Sequence, residues 1–317
     1  MQALFFDNGL FIKEIPVPEP AAGEVLVKVL YSAICNTDLE IIKGYMGFRG
    51  VLGHEFVGRV NSPGHPLHGK TVVGEINCSC GECYLCLSGR RTHCTNRTVI
   101  GIAGHQGVFA DFISLPSGNL HIVPDPVPGH IAVFTEPLAA AIEIFEQQHI
   151  KPSDTVFIFG AGKLGLLVSM VARLHGLSYT TFDPVIEKVE FAVKMGLNAR
   201  SSAGLKPEEK AEVCIDCTGS AEGISIALSH LWPRGTMVLK TTVADPAKPD
   251  VNSIVINEFT ILGSRCGLFE PALNLLERKL IDPDPMISGS FAFKDIIKAF
   301  ESAKKPVNRK IIIDHNT

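Results

Sequence analysis

The chain is short of several features that would settle its class at once. No apolar run approaches the roughly 18 residues that a membrane-spanning helix needs, so no membrane partner is expected. Basic residues are not in excess. Lys and Arg number 29 against 33 Asp and Glu, the formal charge is −4 and the pI about 6.3. That balance argues against nucleic acid as a partner. The opening stretch, MQALFFDNGLFIKEI, has no basic segment followed by a long apolar core, and no secretory signal is read in it. Internal repeats and low-complexity tracts are also missing. A cytoplasmic globular protein is expected. Its 317 residues exceed one ordinary core and predict two domains.

Cysteine, by contrast, is concentrated. Five of the nine cysteines fall in CSCGECYLCLSGRRTHC, residues 78–94. A disulfide knot, a metal site and a reactive thiol centre are the competing readings. A reducing cytosol disfavours structural disulfides, and clustered cysteines there are more often metal ligands. Cys80, Cys83, Cys86 and Cys94 follow the spacing C-x2-C-x2-C-x7-C, with Gly81 and Gly89 allowing the turns that four converging sulfurs need. A structural zinc is the preferred reading and a redox cluster the lesser one. Cys78 is then a fifth thiol that a tetrahedral ion cannot use: a spare neighbour, or a sign of the wrong register.

Along the chain, residues up to about 125 read as β-rich and irregular. EVLVKVLYSAI alternates as a strand does, and FVGRV and TVVGEI are shorter strand-like runs. After Pro137 the texture changes. LAAAIEIFEQQ is helix-like, and TVFIFGAGKLGLLVSMVARLHG reads as a buried strand, a glycine turn and a helix ending at Gly176. YTTFD reads as a second strand, IEKVEFAVKMG as a helix closed by Gly196, and VCIDCTG as a third strand before a helix over 221–231. TMVLK and FTILGS continue the series, which predicts an α/β, doubly wound parallel sheet. PALNLLERK and FKDIIKAFESAKK read as helices, and RKIIID as a closing strand that returns to the first domain.

Gly160, Gly162 and Gly165 form G-x-G-x-x-G between an apolar strand and an apolar helix, enclosing Lys163 and Leu164. In that context the pattern is a dinucleotide fingerprint. The first glycine makes the turn, the second admits the pyrophosphate to the backbone, and the third lets helix pack on strand. Asp183 ends the next strand, where a carboxylate bonds the ribose hydroxyls and repels a 2′-phosphate. NAD is therefore expected over NADP, with Lys188 as a residue that softens the preference. The bland alternative is an unliganded glycine turn with Asp183 as a helix cap.

Three more stretches complete the set: CNTD (35–38), GHEFVG (53–58) and TEPLAAAIE (135–143). Together with the cysteine lobe and the fingerprint, in that order, they resemble the zinc-dependent alcohol dehydrogenases of the medium-chain dehydrogenase/reductase family. The motifs are closest to the polyol, glucose and threonine dehydrogenase branches. The resemblance implies a GroES-like β-barrel catalytic domain over 1–137 with the zinc lobe 78–94. It implies a Rossmann domain over 138–266, and a segment 267–317 returning to the catalytic domain. It also implies two zinc ions per chain, one catalytic and one structural. Cys35, His54 and Glu136 would hold the catalytic ion, with Glu55 a ligand or just behind it. Asp38 would orient His54, and Thr37 would pass on the substrate's hydroxyl proton. A bound zinc lowers the pKa of coordinated water from about 15.7 to about 7. A like gain for an alcohol is worth roughly 12 kcal/mol. Cys, His and carboxylate ligands leave a position for substrate.

The sequence departs from the family in places. Glu40 stands where many members carry a histidine that finishes the proton relay. The loops 44–52 and 61–70 look trimmed. The expected substrate is a secondary alcohol, polyol or sugar. Two other functions compete: a zinc-independent NADPH-dependent enone or quinone reductase of the same superfamily, and a non-catalytic nucleotide-binding sensor. The run SIVINEFTILGS reads as an edge strand able to pair across a two-fold axis, which predicts a homodimer or homotetramer.

Overall fold

The computed structural model describes residues 1–242 and 248–317. Its first unit is organised by the strand Glu24–Ala33, whose alternating valines, Val25, Val27 and Val29, are buried. One edge of this strand pairs antiparallel with Glu55–Val60. The other edge is shared by Phe112–Pro116 and, farther along, by Lys310–Asp314. The sheet runs from Leu120–Ile122 through Thr71–Gly74, Glu55–Val60, Glu24–Ala33 and Lys310–Asp314 to Ile287–Ala292. A closing strand from the far end of the sequence thus sits in the middle of a sheet begun by residue 24. Ile311 and Ile313 on that strand join a core with Leu4, Ile34, Ile41, Leu52, Phe109 and Phe300. Each such side chain contributes roughly 1.5–3 kcal/mol by leaving water.

By contact, this unit comprises residues 1–136, 273–277 and 286–317, and the second comprises 137–272 and 278–285. The second unit is a six-stranded parallel sheet. Its spatial order is Ala199–Ser201, Ser178–Asp183, Thr155–Phe159, Ala211–Asp216, Leu231–Leu239, Thr260–Gly263. In chain order that is 3-2-1-4-5-6, the doubly wound nucleotide-binding order, which reverses direction at Thr155–Phe159. The strand is central and its four residues after Thr155 are buried, as a strand covered on both faces requires. Phe182 packs against Phe157 and Phe159, with ring centroids 4.9 and 5.5 Å away.

Two details differ from expectation. VCIDCTG supplies the fourth strand, because the three-residue strand Ala199–Ser201 precedes it. The run SIVINEFTILGS is not one strand. Val251–Ile256 is a helix, and only Thr260–Gly263 is extended, at the sheet edge. The β-branched run suits a strand, but the Asp250 carboxylate accepts from the N–H groups of Asn252 and Ser253 and caps a helix.

Candidate active site and metal centres

The helix Asn36–Ile42 begins two residues beyond the strand Glu24–Ala33, with Cys35 as its N-cap. Asp38, in the first turn, is fully buried. Its Oδ2 accepts from the Cys35 N–H at 2.8 Å, and its Oδ1 lies 3.3 Å from His54 Nδ1. One carboxylate therefore fixes the backbone of the cysteine and turns the imidazole so that Nε2 faces away from it. Sheet register brings the next residue in: Glu55 lies opposite Ala33. Ligand atoms of Cys35, His54 and Glu55 all fall within 4.8 Å of one another. Thr37 Oγ1 is 3.7 Å from Cys35 Sγ.

Burial pushes the His54 pKa down, but the charges of Asp38 and Cys35 outweigh burial and raise it well above its ordinary value. An imidazole among acidic groups holds a cation readily. Glu55 Oε1 is buried without a hydrogen-bond partner, as a carboxylate oxygen meant for a metal would be in the metal's absence. The chemistry of the donors (thiol, imidazole, carboxylate) suits zinc, so these residues fit that ion.

Sequence reasoning missed Lys310. Its Nζ lies 2.6 Å from Glu55 Oε2, both side chains are about 1% exposed, and the pair spans 255 residues. The ammonium also stands 5.5 Å from the Phe134 ring centroid. Burial alone would lower the Lys310 pKa. The negative charges of Glu55, Cys35 and Glu136 outweigh that and raise it, so the lysine stays charged. Removing one partner from a buried pair costs about 3–5 kcal/mol, since the other is left uncompensated. The only sequence signal was a charge opening an apolar strand, KIIID. Glu136, at the start of the helix Thr135–Gln147, acts on Lys310 electrostatically but is not among the three groups that converge within 4.8 Å. Glu40 is taken up by Lys43, 2.8 Å away.

In the lobe, the sulfurs lie 3.5 Å (Cys83–Cys86), 3.7 Å (Cys83–Cys94), 3.5 Å (Cys80–Cys94) and 4.0 Å (Cys80–Cys86) apart. Four ligands at about 2.3 Å from a tetrahedral zinc stand roughly 3.8 Å from one another, so the cluster fits the ion. Backbone N–H donation from Cys86 draws the Cys83 thiol down to about 6, near the thiolate form that zinc takes. Cys78 is not in the group. It packs with Val25, Val27 and Phe56, and burial lifts its pKa to about 11. It is a core residue beside the lobe.

In the second unit the fingerprint spans the end of Thr155–Phe159 and the start of the helix Lys163–Leu174, with Gly162 as N-cap. Gly160 has φ +102°, and a Cβ on it would meet the Cys217 carbonyl oxygen at 2.6 Å. A Cβ on Gly165 would lie 1.8 Å from the Gly160 carbonyl oxygen. The fold itself demands both. Gly162 is different: nothing lies within 4 Å of a Cβ there, and φ is −85°. A glycine the fold does not need is explained by a ligand approaching its backbone. Lys163 and Leu164 open the helix behind it. Asp183 is buried. Its Oδ2 accepts from the Ala161 N–H and its Oδ1 from the Val185 N–H, both at 2.9 Å, while Lys188 Nζ lies 3.6 Å from Oδ2. The carboxylate thus braces the loop from below.

Comparison with known proteins agrees with this architecture. The family described as the alcohol dehydrogenase GroES-like domain matches residues 21–125, and that described as zinc-binding dehydrogenase matches residues 164–278. An L-threonine 3-dehydrogenase of Streptomyces avermitilis is 30% identical over 97% of this chain and 96% of its own length. The RspB alcohol dehydrogenase of Escherichia coli CFT073, solved with NADH, is 26% identical with a TM-score of 0.89 over 99% of both chains. A zinc-binding dehydrogenase of Sinorhizobium meliloti, solved with NADP, is 26% identical with a TM-score of 0.88 over 99% of this chain and 98% of its own. The chain belongs to the zinc-dependent alcohol dehydrogenases of the medium-chain dehydrogenase/reductase family, with a GroES-like catalytic domain and a Rossmann domain, and is an oxidoreductase. Among the described residues no helix is long and apolar enough to cross a membrane.

Proposed function

We propose that the chain interconverts a secondary alcohol, polyol or sugar with its carbonyl form, using NAD, with one zinc held by Cys35 and His54 and a second closed in the lobe. The observation that carries this reading is the convergence of Cys35, His54 and Glu55 within 4.8 Å, with the Thr37 hydroxyl beside them. Zinc bound there supplies Lewis acidity that lowers the pKa of a coordinated hydroxyl. Asp38 holds Cys35 and His54 in place for that ion. Glu55 and Glu136 are the carboxylates in reserve. Thr37 Oγ1 would accept the substrate's hydroxyl proton and donate its own onward. The relay would end in Glu40, which is paired to Lys43, or in water. A nicotinamide cofactor, when bound, would supply the hydride acceptor, which is the cofactor's own chemistry.

The solved relatives hold NADH in one case and NADP in the other, so kinship leaves the choice to local residues. Asp183 favours NAD. Its carboxylate accepts ribose hydroxyls and repels a 2′-phosphate, and Lys188 weakens that repulsion without reversing it. A reducing compartment such as the cytoplasm keeps the lobe's thiols available to zinc.

Cys35→Ser tests the metal assignment. It should leave one zinc per chain where the wild type holds two. Turnover with any alcohol should be lost while NADH still quenches or enhances fluorescence on binding. A serine variant that keeps both ions, or turns over at near the wild-type rate, sinks the reading.

The edge strand Thr260–Gly263, with Ile261 exposed on it and Val255 and Ile256 exposed on the preceding helix, fits pairing with a second copy in a homodimer. Sedimentation of the wild type should give at least twice the chain mass, and Ile261→Lys should shift it toward the monomer. A monomeric wild type at micromolar concentration rules the pairing out.

A further inference from the structure

Lys240 has no part in the chemistry described above. It follows the strand Leu231–Leu239 and is half-buried. Its N–H donates to the Asp216 carbonyl at 3.1 Å, and Thr241 Oγ1, next in the chain, accepts from the Gly219 N–H at 2.9 Å. Its ammonium donates to the Ala140 carbonyl at 2.8 Å and stands 3.3 Å from Ser264 Oγ. Backbone and side chain are thus both fixed, at the carboxyl edge of the parallel sheet. That edge is where dinucleotides bind in this topology, across two mononucleotide-binding halves. The glycine fingerprint and Asp183 belong to the half built from the first three strands, which takes the adenosine side. Asp216 ends the fourth strand in chain order and Lys240 follows the fifth, so both border the half left for nicotinamide. The halves adjoin closely: a Cβ on Gly160 would meet the Cys217 carbonyl oxygen at 2.6 Å.

We propose that Lys240 is a specificity-determining residue for the oxidation state of the cofactor: its ammonium, at the nicotinamide end of the site, weakens binding of the oxidised dinucleotide relative to the reduced one. The oxidised ring carries a formal positive charge and the reduced ring carries none. A fixed cation therefore repels the first and is indifferent to the second. The charge of Lys240 reaches its neighbours. Burial lifts the pKa values of Glu143 and Cys217, and the lysine pulls both back down. It also offsets two acids of the same unit, Asp216 on the adjoining strand and Glu143 three residues along the helix from Ala140. With Lys240 neutralised, those acids would favour the oxidised ring. The inference rests on the dinucleotide reading above, and it bears on direction. An enzyme that holds NADH more tightly than NAD+ releases NADH slowly after oxidising an alcohol, and is better suited to reducing a carbonyl. A lysine that merely ties a helix to the sheet would behave differently, because its loss would weaken both cofactor forms alike.

The test titrates the zinc-loaded, full-length enzyme with NAD+, NADH and ADP-ribose by calorimetry, in the wild type and in Lys240→Met, Lys240→Gln and Lys240→Arg. Lys240→Met should lower the ratio Kd(NAD+)/Kd(NADH) at least about threefold, mainly by tightening NAD+. Its Kd for ADP-ribose, which lacks the ring, should stay near that of the wild type. Glutamine keeps a donor for the Ala140 carbonyl but no charge, so Lys240→Gln should follow the methionine variant. Lys240→Arg keeps the charge and should keep the wild-type ratio. A smaller change of the ratio in Lys240→Met, or an equal loss of affinity for all three ligands, overturns the proposal. A glutamine variant with the wild-type ratio overturns it too, since the bond and not the charge would then be what matters. Should Lys240→Met fail to fold, Lys240→Gln decides by the same ratio. The dinucleotide reading fails separately: the wild type would then bind none of the three ligands at millimolar concentration, and this inference would fall with it.

Discussion

Asp38 and Asp183 stand in different units but are used in the same way. Each is buried, and each divides its two oxygens between groups that must hold their relative positions: Cys35 and His54 for the first, Ala161 and Val185 for the second. A buried carboxylate is tolerable when its oxygens are engaged, and that engagement makes the geometry rigid. For Asp183 this gives a prediction with two parts. On the proposed NAD preference, Asp183→Ser would remove the charge that repels a 2′-phosphate, so the ratio of kcat/KM for NADP over NAD should rise at least tenfold, equivalent to about 1.4 kcal/mol. Ser can still accept one of the two N–H bonds, so stability should fall by only about 1 kcal/mol. A wild type that already prefers NADP, or a variant with an unmoved ratio, shows that this strand end does not choose the cofactor. At this scale, what could be read in the sequence was what lay close together in it. Cys35, Thr37 and Asp38 share one helical turn, and His54 adjoins Glu55, so their spacing carried a chemical pattern. Lys310 could not be read, because its partner is 255 residues away and a lysine beginning a strand has many bland explanations. Glu136, which the motif offered as a ligand, opens the helix Thr135–Gln147 and acts on Lys310 electrostatically.

Among elements, those with strong periodicity were the most readable. The strand Thr155–Phe159, the helix Lys163–Leu174 and the strand Ser178–Asp183 are long enough for burial on one or two faces to mark them. Ala199–Ser201 is three residues with no buried position, too short for a pattern to register. Val251–Ile256 was misread because its side chains favour strands while a single cap, Asp250, decides for helix. The zinc lobe belongs to neither case. It has almost no regular structure beyond the four-residue helix Tyr84–Leu87, and of its four converging cysteines only Cys86 and Cys94 are buried. With so little apolar surface to bury, the segment would depend on a zinc held by its four converging cysteines for shape. Four thiolates fill a tetrahedral ion and leave no position for substrate. Cys83→Ser should therefore lower the melting temperature or disturb assembly, while protein that stays folded turns over near the wild-type rate per catalytic zinc. A stable Cys83→Ser protein that has lost turnover with its catalytic zinc in place would show that the lobe takes part in the chemistry.

The chain as a whole is closed by its own end. Lys310–Asp314 lies between Glu24–Ala33 and Ile287–Ala292, and just past it His315 Nε2 meets Ser32 Oγ at 2.8 Å across 283 residues. The imidazole packs on Phe293, with ring centroids 5.0 Å apart, and its Nδ1 has no partner. Burial drives its pKa from 6.5 down to about 3, against a small opposing pull from Asp314. The sign follows from which state binds the proton. Below pH 6.5 the unfolded chain protonates His315 and the folded chain does not until about pH 3. Folding stability is therefore complete above 6.5 and falls as the pH drops toward 3, at no more than about 1.4 kcal/mol per pH unit from this group. Other groups titrate over the same range, so the wild-type slope alone proves nothing. The comparison with His315→Gln isolates it, since glutamine can still bond Ser32 but takes up no proton there. Denaturant unfolding between pH 6 and pH 4.5 should show the wild type losing roughly 1–2 kcal/mol more than the variant, with the two curves converging in slope above pH 7. Parallel curves across the whole range would mean that His315 is protonated in the folded protein, and that the closing strand is not what makes this chain sensitive to acid.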